Sequence, residues 1–144
     1  MIYTYLTKRA LKLCFESHKE QVDKTGLPYV FHPFHLAEQM DDEISTVCAL
    51  LHDVVEDTDL TLADLAEMGF PTEVTEVLAL LTHDPAVPYM DYVKEISTHP
   101  VATKVKIADL THNSDLTRLD TVDDYARERN QKYMEALRLL KEKN

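Results

Sequence analysis

Apolar side chains recur along this chain at helical rather than strand spacing. The clearest run follows the acidic cluster Asp41-Asp42-Glu43. There Ile44, Val47, Leu50, Leu51, Val54 and Val55 repeat at helical intervals, and the carboxylates ahead of them suit a helix N-terminus. A first helix is predicted over about residues 4–20, with Leu6, Ala10, Leu13, Cys14 and Phe15 facing inward. Gly26 and Pro28 then mark a loop. Tyr29-Val30-Phe31-His32-Pro33 is expected to be extended, because a residue before proline disfavours helical geometry, and a short helix follows from Pro33 to Met40. Further helices are predicted over 61–69, stopped by Gly69, over 71–81, 90–97, 101 to about 116, and 123–141, with a loop at 82–88. Strand alternation is nowhere longer than the helical period, and glycines number only two. The predicted class is all-α, a compact helical bundle. Eight or so helices with short loops fill 144 residues as one domain, 1–144, and leave no room for a second.

Composition narrows the functional classes. A chain with 44% hydrophobic and 28% charged residues is an ordinary globular one. Its net charge of -11 argues against binding polymeric nucleic acid, which needs a basic footprint. A small anionic substrate stays open, since a divalent metal and a few placed cations reverse the local field. Cys14 and Cys48 sit in apolar helical patterns without CxxC spacing and read as buried thiols in a reducing compartment. Neither a signal-peptide core nor an apolar run of membrane-spanning length is present. The expectation is a cytoplasmic enzyme or binding protein with no membrane partner.

Four groups able to bind a metal or move a proton interrupt the central apolar run: His52, Asp53, Glu56 and Asp57. His52 and Asp53 are adjacent and Glu56 lies one turn on, so all three can border one pocket. An isolated buried carboxylate is costly unless paired or metal-bound. With His32 and Asp109 they form a candidate ligand set, His32, His52, Asp53 and Asp109, drawn from separate regions as in sites between packed helices. Imidazole mixed with carboxylate suits a divalent first-row metal, and the lack of thiolates argues against a structural zinc knot. Taken singly, each has a plainer reading. His32 also suits a capping or core position, and Glu56 and Asp57 a solvated helix end. His112 reads as a structural hydrogen-bonding residue, and His18, His35, His83 and His99 stand outside the set.

Three stretches together resemble the HD superfamily of metal-dependent phosphohydrolases, and within it the small alarmone hydrolases and the hydrolase domain of RelA/SpoT-type proteins. They are Pro28-Tyr29-Val30-Phe31-His32-Pro33, Leu51-His52-Asp53-Val54-Val55-Glu56-Asp57-Thr58 and Val105-Lys106-Ile107-Ala108-Asp109-Leu110-Thr111-His112-Asn113. The resemblance spans nearly the whole chain. It implies a compact all-helical fold and hydrolysis of the 3′-pyrophosphate of guanosine tetra- or pentaphosphate, usually with manganese. It makes His32, His52, Asp53 and Asp109 the metal ligands. Glu56 and Asp57 become the acidic pair that orients and deprotonates the attacking water. It also implies nucleotide contacts from Lys24, Thr25, Asn113, Arg129 and Tyr133. Arg129 and Tyr133 equally suit a surface cation and a core-edge aromatic. The chain departs from the family pattern at Asp23 and Asp84, where basic residues are common, and at Leu110, where arginine often follows the late aspartate. Two other readings therefore stand beside the first. One is a different HD nucleotide phosphohydrolase, acting on a phosphomonoester or phosphodiester. The other is a nucleotide sensor with vestigial activity.

Overall fold

A computed structural model describes residues 1–142, so the last two positions of the predicted domain lie outside the described residues. Nine α-helices and one 3₁₀ turn make up the regular structure of the described residues, and the only extended pairing among them is a single bridge between Val22 and Pro28. The helices are α1 (Tyr5–His18), α2 (Phe31–Glu38), α3 (Glu43–Leu51), α4 (Val54–Asp57), α5 (Leu62–Glu67), α6 (Thr72–Leu81), α7 (Tyr89–Ile96), α8 (Pro100–Asn113) and α9 (Asp124–Glu142), with the 3₁₀ turn at Leu116–Arg118 between the last two. The predicted all-α class is the observed one. No helix among the described residues is long and apolar enough to cross a membrane.

Helix α3 is the centre of the packing, with α1, α2, α6 and α8 against it. Ser45 through Leu51 are all buried, so this helix is enclosed on every side rather than amphipathic. Its start is fixed by Asp42, whose side chain accepts hydrogen bonds from the Ser45 backbone N–H at 2.8 Å and the Ser45 hydroxyl at 2.9 Å. The Ser45 backbone contact is the main reason the Asp42 carboxyl is held below its ordinary value, with burial opposing it and Lys104 assisting. A group with a depressed folded pKa contributes stability above its unfolded value, and that stability is lost as pH falls through the folded one. Asp42→Ala is therefore expected to lower unfolding free energy by about 1 kcal/mol at neutral pH. The gap from wild type should narrow as pH falls below the usual carboxylate range. Urea unfolding at several pH values checks this; a gap that widens in acid contradicts it.

Four local expectations need correction. The central helix does not continue through Val55: it ends at Leu51 and restarts at Val54, leaving His52 and Asp53 in the turn between. His32 is not on an extended entry but in the first turn of α2. Pro33 is tolerated as the third helical residue because the first four helix N–H groups have no intrahelical partner to lose. The late helix stops at Asn113 rather than Leu116, which falls in the 3₁₀ turn. Phe15 is 48% exposed rather than inward. The predicted stop at Gly69 is observed as a left-handed residue (φ 94°), and Phe70 N–H returns to the Leu65 carbonyl at 3.1 Å. Cys14 and Cys48 are free and buried, and burial pushes both thiols up to about 12.

Candidate metal centre

The break between α3 and α4 sets the site. Asp53 takes backbone angles of φ -105° and ψ 0°, in the bridge region where active-site residues are often found. His52 closes α3, with its ring buried at 4% exposure. From α2 comes His32 and from α8 comes Asp109, both buried. Donor atoms of His32, His52 and Asp109 all lie within 4.8 Å of one another. Asp53 is outside that tight trio but adjacent to it, its Oδ2 3.0 Å from His52 Nε2.

Hydrogen bonds decide which way these rings face. His52 Nδ1 lies 2.7 Å from the Ala49 carbonyl, which only accepts, so Nδ1 carries the proton. In the neutral ring Nε2 is then a bare lone pair. It is buried without a hydrogen-bond partner, and Asp53 Oδ2 and Asp109 Oδ1 face it at 3.0 and 3.6 Å. A lone pair against two carboxylates is repulsive unless a cation sits between them. The donor set therefore fits a divalent metal, with Ala49 as the outer partner that fixes the His52 tautomer. His32 has a similar brace: its Nδ1 is 2.7 Å from His112 Nδ1, and the two rings stack at 5.0 Å. Its Nε2 faces Asp109 Oδ1 at 2.9 Å. Burial holds His32 below the ordinary imidazole value and so favours the neutral ring, while Asp109 pulls the other way. His112 is thus the hydrogen-bonding histidine that was predicted.

The two carboxyls of the centre are driven apart. Burial pushes Asp53 well up, and the neighbouring charges of Asp109, Asp57 and Glu56 add to it. Burial acts on Asp109 in the same sense, but the Lys106 ammonium, helped by the His32 ring, outweighs it and holds Asp109 well below the carboxylate range. Lys106 Nζ is 2.9 Å from Asp109 Oδ2, and Asn113 Nδ2 donates to Asp109 Oδ1 at 2.9 Å. The Tyr29 hydroxyl donates to Asp53 Oδ2. Sequence reasoning missed Lys106 and Tyr29 as parts of the site. Lys106 had a usable signal, its place three residues before Asp109 on one helix face. Tyr29 had none beyond membership of the same motif as His32.

Two pockets flank the donors. The first is lined by Lys24, Thr25, Tyr29, His32, Asn113, Arg118, Arg129 and Tyr133, and so brings together all five predicted substrate residues. Asp23 shapes its rim: one carboxylate oxygen accepts from the Thr25 N–H, the Thr25 hydroxyl and the Leu27 N–H at 2.8, 2.6 and 3.0 Å. The same carboxylate lies 3.7 Å from Arg118, a cation the sequence reading overlooked. The second pocket is lined by His52, Asp53, Glu56, Asp109 and Lys106, together with Tyr89, Tyr92 and Lys132, and it shares Asn113 and Tyr133 with the first. Glu56 is exposed there, its Oε1 accepting from the His83 N–H at 2.5 Å. Asp57 lines neither pocket; it is exposed, and its carbonyl accepts from Gln21.

A helical bundle with two histidines and an aspartate converging between two pockets is a scaffold whose donors could hold a metal ion. Comparisons with known proteins give that scaffold its family. No protein-family model matches the chain. It is 35% identical over 132 residues to the human guanosine-3′,5′-bis(diphosphate) 3′-pyrophosphohydrolase MESH1, covering 82% of this chain and 73% of that protein. The mouse MESH1 protein is 34% identical over 137 residues, covering 84% of this chain and 75% of that protein. A solved structure described as a metazoan ortholog of SpoT that hydrolyses ppGpp superposes with a TM-score of 0.78 at 22% identity, over 97% of this chain and 87% of that one, and so shares the fold. The chain belongs to the MESH1-type guanosine-3′,5′-bis(diphosphate) 3′-pyrophosphohydrolase family.

Proposed function

We propose that the chain is an enzyme that hydrolyses guanosine 3′,5′-bis(diphosphate), releasing pyrophosphate from the 3′ side. The observation that carries the reading is the buried, unpartnered His52 Nε2, aimed at Asp53 and Asp109 on the wall of a pocket that also holds Glu56. His32, His52, Asp53 and Asp109 would hold Mn²⁺, which when bound lowers the pKa of water and offsets charge on phosphate oxygens. Glu56 then accepts the proton of the attacking water, and Asp57 completes the acidic pair. Water oxygen bonds to the phosphorus carried on ribose O3′, the P–O3′ bond breaks, and O3′ leaves with a proton. The products are GDP and pyrophosphate. Lys24, Thr25, Arg129, Tyr133 and Asn113 in the first pocket orient the nucleotide, with the cations making charge-assisted bonds to phosphate. The buried free thiols fit residence in the reducing cytoplasm.

A product-resolved screen of manganese-loaded protein against alarmones, ordinary nucleotides and dinucleotides tests this. The expected result is pyrophosphate and GDP from guanosine tetraphosphate. Orthophosphate from a mononucleotide would instead mark a phosphomonoesterase of the same fold, and tight nucleotide binding without turnover a sensor.

A further inference from the structure

Glu56 stands on α4, a helix of four residues, and its side chain is exposed. An exposed glutamate samples several rotamers, whereas a proton acceptor has to keep an oxygen within hydrogen-bond reach of the attacking water. The tether against that freedom comes from the loop after α6, where the His83 N–H donates to Glu56 Oε1 at 2.5 Å. The His83 ring in turn holds the loop. Its Nε2 lies 2.8 Å from the Val87 carbonyl, which only accepts, so Nε2 carries the proton and clasps the segment 83–87. Within that clasp the Val87 N–H donates to the Asp84 carbonyl at 2.9 Å, and the Ala86 N–H to the Asp84 carboxylate at 3.0 Å. The imidazole also packs on Tyr92, ring centres 4.5 Å apart. Tyr92 is fixed by its hydroxyl, which donates to the carbonyl of Leu81 at the end of α6 at 2.6 Å.

We propose that His83 is a positioning residue for the reaction. Its ring sets the shape of the loop at 82–88, and the backbone N–H that the loop presents at 83 aims the Glu56 carboxylate. This rests on the role proposed for Glu56 and supplies what holds that side chain in place. Any residue other than proline brings an N–H to this position. The imidazole, bonded to Val87 and seated on Tyr92, decides where that N–H points. With Oε1 tethered, Oε2 is the oxygen left to take the proton of the water. Asp84 serves the same loop, as the acceptor that closes its turn.

A double-mutant cycle with Glu56 tests this, using metal-loaded protein and guanosine tetraphosphate or whichever substrate the screen above returns. His83→Ala should lower kcat by about 10–100-fold, towards the cost of misplacing a reacting group by about 1 Å. KM and metal content should stay within about twofold, because neither binding nor ligation passes through this loop. In the Glu56→Gln background the same substitution should change kcat by less than about twofold, since no base is left to aim. His83→Gln, whose amide N–H reaches about as far as Nε2, should recover most of the loss. Wild-type kcat in His83→Ala overturns the proposal. So does an equal loss in both backgrounds, or a His83→Gln variant as slow as His83→Ala. If Glu56→Gln itself turns over at the wild-type rate, the role proposed for Glu56 fails, and urea unfolding decides the tether alone. The effect of Glu56→Ala on stability should then differ between wild type and His83→Ala, and an identical effect in both shows that the ring does not hold the contact.

Discussion

Replacing His52 by alanine is expected to empty the metal centre. The ring brings one of three donors that meet within 4.8 Å, and its orientation is set by a bond to Ala49 that no other side chain reproduces. Loss of an outer-shell partner alone typically costs about 10–100-fold in affinity, so loss of a ligand should exceed that. Asp109→Ala should fail in the same assay and also unfold more easily. It strands Lys106, whose side chain is only 13% exposed, without its carboxylate. Breaking a buried pair from one side costs about 3–5 kcal/mol. Metal content per chain after identical reconstitution, read beside thermal unfolding, separates the two effects. Full stoichiometric manganese in both variants rejects the ligand assignment.

Glu56→Gln should behave in the opposite way, keeping its metal and losing turnover by about 10²–10⁴-fold. Glutamine retains the oxygen that accepts from the His83 N–H, so the side chain keeps its tether and loses only its capacity to take a proton. Asp57→Asn is expected to cost less, because Asp57 lies outside both pockets. Single-turnover rates with guanosine tetraphosphate, on protein of equal metal content, make the comparison. Wild-type rates in Glu56→Gln would remove it from the reaction.

The helices were legible because their signals are local: periodic apolar positions, the Asp42 cap and the Gly69 stop each act within a few residues. The break after Leu51 was not, since Val54 and Val55 continue the apolar pattern and the interruption is imposed by what surrounds His52 and Asp53. The approach of His32 to Asp109 spans 77 positions, and periodicity says nothing about such a distance. Motif resemblance supplied what periodicity could not. Lys106 escaped because a lysine three residues from an acid reads as a surface pair until its helix is seen to be buried. Arg118 escaped for a related reason: it answers the loop residue Asp23 from a distant part of the chain.

The gap between α3 and α4 bears on any effort to engineer this protein for robustness. Residues 52 and 53 interrupt an otherwise apolar helical pattern, and fusing the two helices would add backbone hydrogen bonds to the most enclosed part of the molecule. A helix-propensity scan would favour that repair. Rewinding the turn would rotate Asp53 away from His52, exchanging thermal tolerance for a scaffold that no longer gathers its donors. Hardening is better directed at remote surfaces such as the N-terminal half of α1, where no donor, pocket wall or cap of the centre is disturbed.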